Sequence, residues 1–189
     1  MRAFVAVPLP DALRARLAGE IDRLRGVARD VAWVAETNLH VTLKFLGQID
    51  PARVDAIADA LASVAARTPP FDLDVRGLGA FPTADRPRVV WAGLHPAAPL
   101  ATLAREVDAA LGTLGVSRES RPFAGHVTLG RVREHRRNPA LAVALARPAQ
   151  CGRLPVTRVS LMRSQLDSRG ARYTELTSVV LAGAPSPVE

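Results

Sequence analysis

Residues 38–47 read Asn-Leu-His-Val-Thr-Leu-Lys-Phe-Leu-Gly, and the tetrapeptide His40-Val41-Thr42-Leu43 within them recurs unchanged as His126-Val127-Thr128-Leu129. In an extended strand, side chains point alternately to the two faces, so the His and the Thr of each copy share a face. The residues between them are apolar, which is typical of a strand with one packed face and one face in water. The repeat therefore predicts two related strands, each of which presents an imidazole and a hydroxyl.

This pair of side chains suits acid–base chemistry at a phosphate without a metal ion. Imidazole changes its charge near neutral pH and can donate or accept a proton, while a hydroxyl can hydrogen-bond to a phosphoryl oxygen. The alternative interpretation is structural, because threonine is common in strands and a single strand histidine usually has no catalytic role. The recurrence of all four residues favours the functional interpretation.

The composition is that of a globular protein. The 189 residues suit one domain, or two small lobes that share a core, and with 48% hydrophobic but only 4% aromatic residues that core must be aliphatic. Charged residues or prolines interrupt every apolar stretch before it reaches transmembrane length, and the stretch before Pro8 is too short for a signal peptide. We therefore expect a cytoplasmic protein with no membrane segment.

The charge favours an anionic partner. The formal net charge is +7, and Lys44 is the only lysine among 25 basic residues. Arginine suits phosphate recognition because its planar guanidinium can bind two oxygens at once, although codon bias is an alternative explanation for so much arginine. Cys151 is the only cysteine, and neither His95 nor His135 has metal-ligand spacing with another histidine or a carboxylate. No metal site and no cofactor are expected.

Periodicity and turn residues predict helices that alternate with strands. Gly47 is expected to end the first motif strand, residues 76–87 to form a Gly/Pro-rich connection, and residues 183–189 to form a flexible tail. The predicted helices cover residues 11–25, 98–114, 139–146 and a segment from Pro51 to a break at Thr68. The predicted strands cover residues 3–7, 31–34, 39–46, 71–75, 88–94, 124–132, 156–162 and 171–181.

These elements indicate an α+β fold with mostly antiparallel sheets, because residues 71–75 with 88–94, and 156–162 with 171–181, are arranged as hairpins. The two halves of the chain have a similar order of elements. We therefore predict a single bilobal domain over residues 1–182 with pseudo-twofold symmetry. Its helices lie on the outside, and the two motif strands lie side by side at a central groove.

Beyond the repeated tetrapeptide, distinctive strings of residues occur at 38–47, 77–82 (Gly-Leu-Gly-Ala-Phe-Pro), 126–131 and 170–173 (Gly-Ala-Arg-Tyr). Together these four segments resemble the RNA 2′,3′-cyclic phosphodiesterases, also called 2′-5′ RNA ligase-like proteins, of the two-histidine (2H) phosphoesterase superfamily. The similarity runs from the first strand to about residue 181. The family often has a proline just before the second histidine, where this chain has Gly125.

The resemblance implies metal-independent hydrolysis of an RNA 2′,3′-cyclic phosphate to a terminal 2′-phosphate, with possible reversible 2′-5′ RNA ligation. By the same resemblance, His40 would donate a proton to the departing 3′-oxygen and His126 would accept one from the attacking water. Thr42 and Thr128 would hold the non-bridging oxygens of the phosphate.

Five further residues are candidates for binding the substrate. Lys44 shares the parity of the first histidine and is expected to face the groove, whereas Arg131 should face away unless a bulge intervenes. The family pattern nevertheless favours Arg131. Tyr173 and Phe45 are candidates for stacking on a base, with core packing as the alternative for Phe45. Arg121 lies in a basic loop before the second motif.

The expected partner is RNA with 2′,3′-cyclic phosphate ends, tRNA fragments included, and the protein is expected to be a monomer. Two alternatives stay open. One is a phosphodiesterase that acts on small cyclic or 2′-5′-linked nucleotides, and the other is a non-catalytic RNA-binding module.

Overall fold

The computed structural model of the protein describes residues 1–134, 137–168 and 170–183. The α-helices of this part of the chain are α1 (Asp11–Arg25), α2 (Val54–Arg67), α3 (Ala97–Thr113) and α4 (Pro139–Leu145). The strands are β1 (Arg2–Pro8), β2 (Val31–Trp33), β3 (His40–Gln48), β4 (Phe71–Pro82), β5 (Pro87–His95), β6 (His126–Val132), β7 (Gln150–Val156), β8 (Arg158–Asp167) and β9 (Gly170–Val180).

The two motif strands, β3 and β6, are neighbours at the centre of one sheet. The strand order is β7-β4-β5-β6-β3-β1-β8-β9, and β2 pairs with β6 outside this path. Every strand pairing within the described residues is antiparallel. The predicted α+β class and the predicted contact between the motif strands are both confirmed.

The elements on the two sides of the centre follow the same order, as expected for pseudo-twofold symmetry. In one half the chain runs through β1 and α1 before it reaches the motif strand β3, and in the other half it runs through β5 and α3 before it reaches β6. In each half the first strand pairs directly with the motif strand. The two units β1-α1-β3 and β5-α3-β6 therefore place the two tetrapeptides in equivalent surroundings.

Aliphatic side chains beneath the sheet fix the register of the motif strands. Val41, Val127 and Leu129 are completely buried, together with apolar residues at helical spacing on α1 and α3. Burying a Val or Leu side chain contributes roughly 1.5–3 kcal/mol. Because a slip of one residue would exchange these side chains with the polar ones, the apolar face holds the histidines and threonines on the other face.

Glycines interrupt two strands without ending them. Gly47 and Gly77 adopt positive φ angles of 69° and 72°, which glycine tolerates because it has no Cβ atom. Strand β3 continues through Gly47 to Gln48, and β4 continues to Pro82 after an irregularity between Val75 and Leu78. The predictions that Gly47 ends its strand and that residues 76–82 form a connection are therefore wrong.

Strand β7 was not predicted at all. It pairs with β4 from Val156 to Gln150 and lies at the edge of the sheet, with no neighbour on its other side in the strand order. Gly152 and Pro155 make this segment look like a loop in sequence, but an edge strand tolerates both residues because one side of its backbone needs no partner.

The end of the described chain is held against α2. The Gly183 N–H donates to the Thr68 carbonyl at 3.0 Å. The flexible tail over residues 183–189 stays a prediction. Residues 184–189 of that predicted tail lie outside the described residues. None of the helices that the structure describes is long and apolar enough to cross a membrane.

Candidate active site

The register of the motif strands brings their polar residues together. Val41 lies opposite Val127 in the antiparallel pair of β3 and β6. One step from this pair in either direction, His40 lies next to Thr128, and Thr42 lies next to His126. All four side chains are half-buried, while the two valines are fully buried on the other face. The four polar groups thus form the corners of a quadrilateral, with the histidines on one diagonal and the threonines on the other.

Both imidazoles are oriented by the backbone in the same way. His40 Nδ1 lies 2.7 Å from the Asn38 carbonyl oxygen, and His126 Nδ1 lies 2.7 Å from that of Ala124. Because a carbonyl oxygen can only accept a hydrogen bond, Nδ1 must carry the proton in both rings. Nε2 is therefore the atom at which each histidine can gain or lose a proton. His40 Nε2 also lies 3.0 Å from Thr42 Oγ1.

The pKa of each histidine lies below its ordinary value of about 6.5. Burial is the largest cause in both cases, and the hydrogen bond to the backbone carbonyl opposes it. The charge of His126 lowers the pKa of His40 further, and the charge of Arg131 lowers the pKa of His126. Both imidazoles are therefore mainly neutral at neutral pH in the free protein, and a bound anion would favour the protonated form of one of them.

An identical bulge follows each His-Val-Thr. In the pairing of β1 with β3, Val5 and Ala6 lie opposite Lys44 and Thr42, so Leu43 is an extra residue. In the pairing of β5 with β6, Val90 and Trp91 lie opposite Gly130 and Thr128, so Leu129 is an extra residue. A bulge reverses the alternation of the side chains that follow it. The faces of the residues beyond the tetrapeptide are therefore exchanged in both strands.

Lys44 consequently points away from the groove. Its side chain is only 4% exposed, and Nζ donates to Asp108 Oδ1 at 2.5 Å and to the Ser117 carbonyl at 2.7 Å. The prediction that Lys44 faces the substrate is wrong. Simple alternation placed it on the face of His40, but the extra residue Leu43 turns it to the opposite face, where a carboxylate and a carbonyl satisfy its charge.

Phe45 and Arg131 occupy equivalent positions after the two bulges, on the face of the histidines. Phe45 is 66% exposed, so the alternative that it packs in the core is wrong. Its ring centroid lies 6.2 Å from that of Phe4, which lies 4.8 Å from that of His40. Arg131 is exposed and close enough to His126 to lower its pKa. The first strand thus presents an aromatic ring where the second presents a guanidinium group.

Aromatic rings pack against both histidines. The rings of Phe4 and Tyr173 lie 4.8 and 5.2 Å from that of His40, and the ring of Phe81 meets that of His126 edge-on at 5.1 Å. Phe4 and Phe81 were not among the predicted site residues. Composition offered a signal, because the chain has only five phenylalanines and three of them lie in this region.

Asn38 connects the first histidine to the hairpin of β8 and β9. Its carbonyl orients His40, and its side-chain Nδ2 donates to the Ala171 carbonyl at 2.7 Å. Gly125, before the second histidine, is closely packed instead: a Cβ atom there would lie 2.7 Å from Leu100 Cδ2. The glycine at this position leaves room for this leucine.

No described contact places Arg121 or either of the two remaining histidines in the site. Arg121 is exposed, and its backbone N–H donates to Glu119 Oε1 at 3.3 Å, but no described contact connects its side chain to the groove. His95 is an exposed residue at the end of β5, and His135 lies outside the described residues. Among the residues that the structure describes, no three His, Cys, Asp or Glu side chains form a group that could hold a metal ion.

Comparison with known sequences identifies relatives along most of the chain. Residues 9–168 match the family model of the 2′-5′ RNA ligase superfamily. The RNA 2′,3′-cyclic phosphodiesterase of Methanothermobacter thermautotrophicus is 33% identical over 93% of this chain and 96% of its own length. The protein of the same name from Aeropyrum pernix is 36% identical over 89% of this chain and 97% of its own length.

Solved structures show the same fold. A protein of Thermus thermophilus superimposes with a TM-score of 0.82 at 31% identity, covering 97% of this chain and 99% of its own. Escherichia coli LigT in complex with 3′-AMP superimposes with a TM-score of 0.78 at 28% identity, covering 95% of this chain and 97% of its own.

Proposed function

The chain belongs to the 2′-5′ RNA ligase superfamily, and on this basis we propose that it is a phosphodiesterase that opens the 2′,3′-cyclic phosphate at the end of an RNA strand. The product is a terminal 2′-phosphate with a free 3′-hydroxyl. The observation that carries the proposal is the quadrilateral of two histidines and two threonines around the Val41–Val127 pair. The relatives named RNA 2′,3′-cyclic phosphodiesterase support the choice of substrate.

The diagonal arrangement of the histidines suits in-line displacement at phosphorus. His126 Nε2 accepts a proton from water while the water oxygen attacks phosphorus. The bond between phosphorus and the 3′-oxygen then breaks, and His40 Nε2 donates a proton to that oxygen. Base and acid must stand on opposite sides of the phosphate in this reaction, and opposite corners of the quadrilateral satisfy that requirement.

The threonines occupy the other diagonal and stabilise the charge that develops on the non-bridging oxygens. In the free protein the Thr42 hydroxyl donates to neutral His40 Nε2. When His40 is protonated, Nε2 becomes the donor, and the Thr42 hydrogen is released for a phosphate oxygen. Among the described residues, His126 and Thr128 form no such bond. The choice of His40 as the acid and His126 as the base follows the family resemblance.

Residues on the same face supply binding. Arg131 supplies a positive charge next to His126, and Phe45 and Tyr173 offer rings on which the terminal base can stack. Arg121 contributes to phosphate binding from the loop before the second motif. We include in the proposal 2′-5′ ligation as the reverse reaction, tRNA fragments among the substrates, and a monomeric, cytoplasmic protein.

The test is incubation of the purified protein with an RNA oligomer that ends in a 2′,3′-cyclic phosphate, with EDTA present. We expect complete conversion to the 2′-phosphate, which a phosphatase but not a 3′-specific phosphatase removes, and no conversion by the His40→Ala/His126→Ala variant. A 3′-phosphate product, or activity that requires an added divalent metal, would contradict the proposal. If a cyclic mononucleotide is hydrolysed as efficiently as the oligomer, the small-nucleotide alternative replaces the RNA assignment.

A further inference from the structure

The only lysine of the chain connects the first motif strand to the segment that leads to the second motif. Lys44 extends from β3 to Asp108 on α3 and to the Ser117 carbonyl just beyond that helix. Its side chain is 4% exposed and that of Asp108 is 15% exposed. Lys44 is the one charged residue that is fully buried within the described part of the chain.

Asp108 also binds the two residues that follow Ser117 in this segment. Besides Lys44, it accepts hydrogen bonds from Arg118 Nε at 2.6 Å and from the Glu119 N–H at 3.0 Å. Burial, the largest influence, raises the pKa of Asp108, but the hydrogen bonds from Lys44, Glu119 and Arg118 together hold that pKa below its ordinary value. Asp108 therefore stays ionised at neutral pH, and residues 117–119 are fixed at three points.

The corresponding segment of the other half is held differently. Before His40, the chain forms β2, which pairs with β6 from Val31 to Trp33. Before His126, residues 116–125 belong to no helix or strand. Strand pairing thus holds the segment before the first motif, and the contacts of Lys44 and Asp108 hold the segment before the second.

Stability is a poor explanation for a buried ion pair. Removing two charges from water costs free energy, and well-packed apolar residues often replace such a pair without loss of stability. The identity of the residue is also informative, because the chain uses arginine at its 24 other basic positions. A compact ammonium group can direct separate N–H bonds to a carboxylate and a carbonyl, whereas a planar guanidinium is larger and has a fixed geometry.

We propose that Lys44 is a positioning residue that, through Asp108 and Ser117, holds residues 117–125 in place for the second half of the active site. The segment is fixed at 117–119 by these contacts and at Phe123, which packs partly against the core. Arg121 lies between the two fixed points, and Ala124, whose carbonyl orients His126, follows them. The role of the segment in catalysis rests on the proposed function, whereas its attachment to Lys44 does not.

The decisive variant is Lys44→Met/Asp108→Leu, which removes both charges and leaves the net charge unchanged. We expect near-normal thermal stability but faster amide hydrogen exchange across residues 117–125, because the N–H of Glu119 loses its acceptor. The kcat/KM for RNA with a cyclic phosphate end should fall between about 10- and 100-fold, since a small displacement of His126 or Arg121 disturbs the reacting geometry. The matched control is Arg153→Met/Asp72→Leu, which removes an exposed ion pair on β7 and β4 and should change neither quantity.

Each outcome decides the proposal. Unchanged exchange in residues 117–125 of the double variant would overturn it, whether or not the protein hydrolyses RNA. Faster exchange with unchanged kinetics would show that Lys44 holds the segment without serving catalysis, which also overturns it. If Lys44→Met alone is unstable and inactive while the double variant regains both stability and full activity, Lys44 has only a structural role. Failure of the wild-type protein to hydrolyse the RNA would contradict the proposed function, and the exchange measurement would still decide the attachment.

Discussion

The two copies of His-Val-Thr-Leu are the same in sequence and in local geometry. In each, the imidazole Nδ1 donates to the carbonyl two residues earlier, and the leucine is the extra residue of a bulge. They differ immediately afterwards. Lys44 and Phe45 follow the first copy, and Gly130 and Arg131 follow the second.

The residues that the two halves share include those proposed to transfer protons, and the differing residues Phe45 and Arg131 lie on the face of the histidines. Identical tetrapeptides place two imidazoles in the same local setting, each with Nε2 as the atom that can gain or lose a proton. The residues after the bulges then give one half an aromatic surface at Phe45 and the other a cationic one at Arg131. This asymmetry suits the proposed substrate, which has a base on one side of its cyclic phosphate and the preceding nucleotides of the RNA on the other.

The largest effect is expected from removing the imidazoles that the two copies share. His40→Ala and His126→Ala should each lower kcat by about 10²- to 10⁴-fold, because each loses one of the two proton transfers. The double variant should be little worse than either single one, since the pair works as a unit. Single-turnover kinetics with the cyclic-phosphate oligomer measure this. Near-normal turnover of either single variant would show that the copies are not equivalent partners in one site.

Removing the shared hydroxyls tests the second diagonal. Thr42→Val and Thr128→Val keep the shape of the side chain but lose the donor to the phosphate, and each should lower kcat by roughly 10²-fold. KM should change much less, because the contact strengthens as charge develops. Steady-state kinetics check this, and a loss confined to one variant would mean that only one threonine contacts the phosphate.

The next effect concerns the cationic half. Arg131→Gln should lower kcat/KM by about tenfold, because a charge-assisted contact with the substrate is lost. It should also alter the pH profile. For the wild-type protein we expect a bell with its maximum below about pH 6.5, since both histidine pKa values are lowered. Arg131 lowers the pKa of His126, so its removal raises that pKa and moves the acid limb, where the base becomes protonated, to higher pH. An unchanged acid limb would show that Arg131 does not affect the pKa of His126.

Substitutions in the aromatic half should change KM and leave kcat unaltered. Phe45→Ala removes a stacking surface worth about 1–3 kcal/mol per base, so KM should rise by about tenfold while kcat and the pH profile stay constant. Phe45→Tyr keeps the ring and serves as the matched control. A fall in kcat for Phe45→Ala would indicate that the ring supports His40 through Phe4 instead of binding a base.

The smallest expected effect is at the edge of the site. Arg121→Gln should leave kcat unchanged and reduce the slope of log KM against log salt by about 0.7, the amount expected for one phosphate contact with a single strand. Titration between low and moderate salt measures it. An unchanged slope would show that Arg121 contacts no phosphate, and Arg153→Gln on the distant β7 controls for the loss of charge.

Sequence predicted the shared part of this comparison well and the different part poorly. The alternation of His40, Thr42 and their apolar neighbours is a local pattern, and it correctly gave one polar face on each of two adjacent strands. The bulges leave no such pattern, because Leu43 and Leu129 are as apolar as regularly spaced strand residues. Simple alternation therefore assigned Lys44, Phe45 and Arg131 to the wrong face. Only for Arg131 did the prediction allow for a bulge.

Distant partners explain the other errors. Lys44 is satisfied by Asp108, 64 positions away, and periodicity around β3 cannot indicate that pairing. Asn38 is connected to Ala171 across a still longer stretch of chain. The edge strand β7 contains Gly152 and Pro155, which suggest a loop unless its single neighbour β4 is known. Local alternation thus predicted which side chains of each motif share a face, and tertiary contacts decided what surrounds them.

The most direct test of opposite proton-transfer roles for two identical motifs uses a cyclic-phosphate substrate in which sulfur replaces the bridging 3′-oxygen. A thiolate leaves without needing a proton, so this substrate bypasses the acid but still requires the base. We predict that it restores turnover to His40→Ala by at least about 10²-fold relative to the oxygen substrate and does not restore His126→Ala. Equal rescue of both variants, or rescue of neither, would contradict the division of roles between the two histidines.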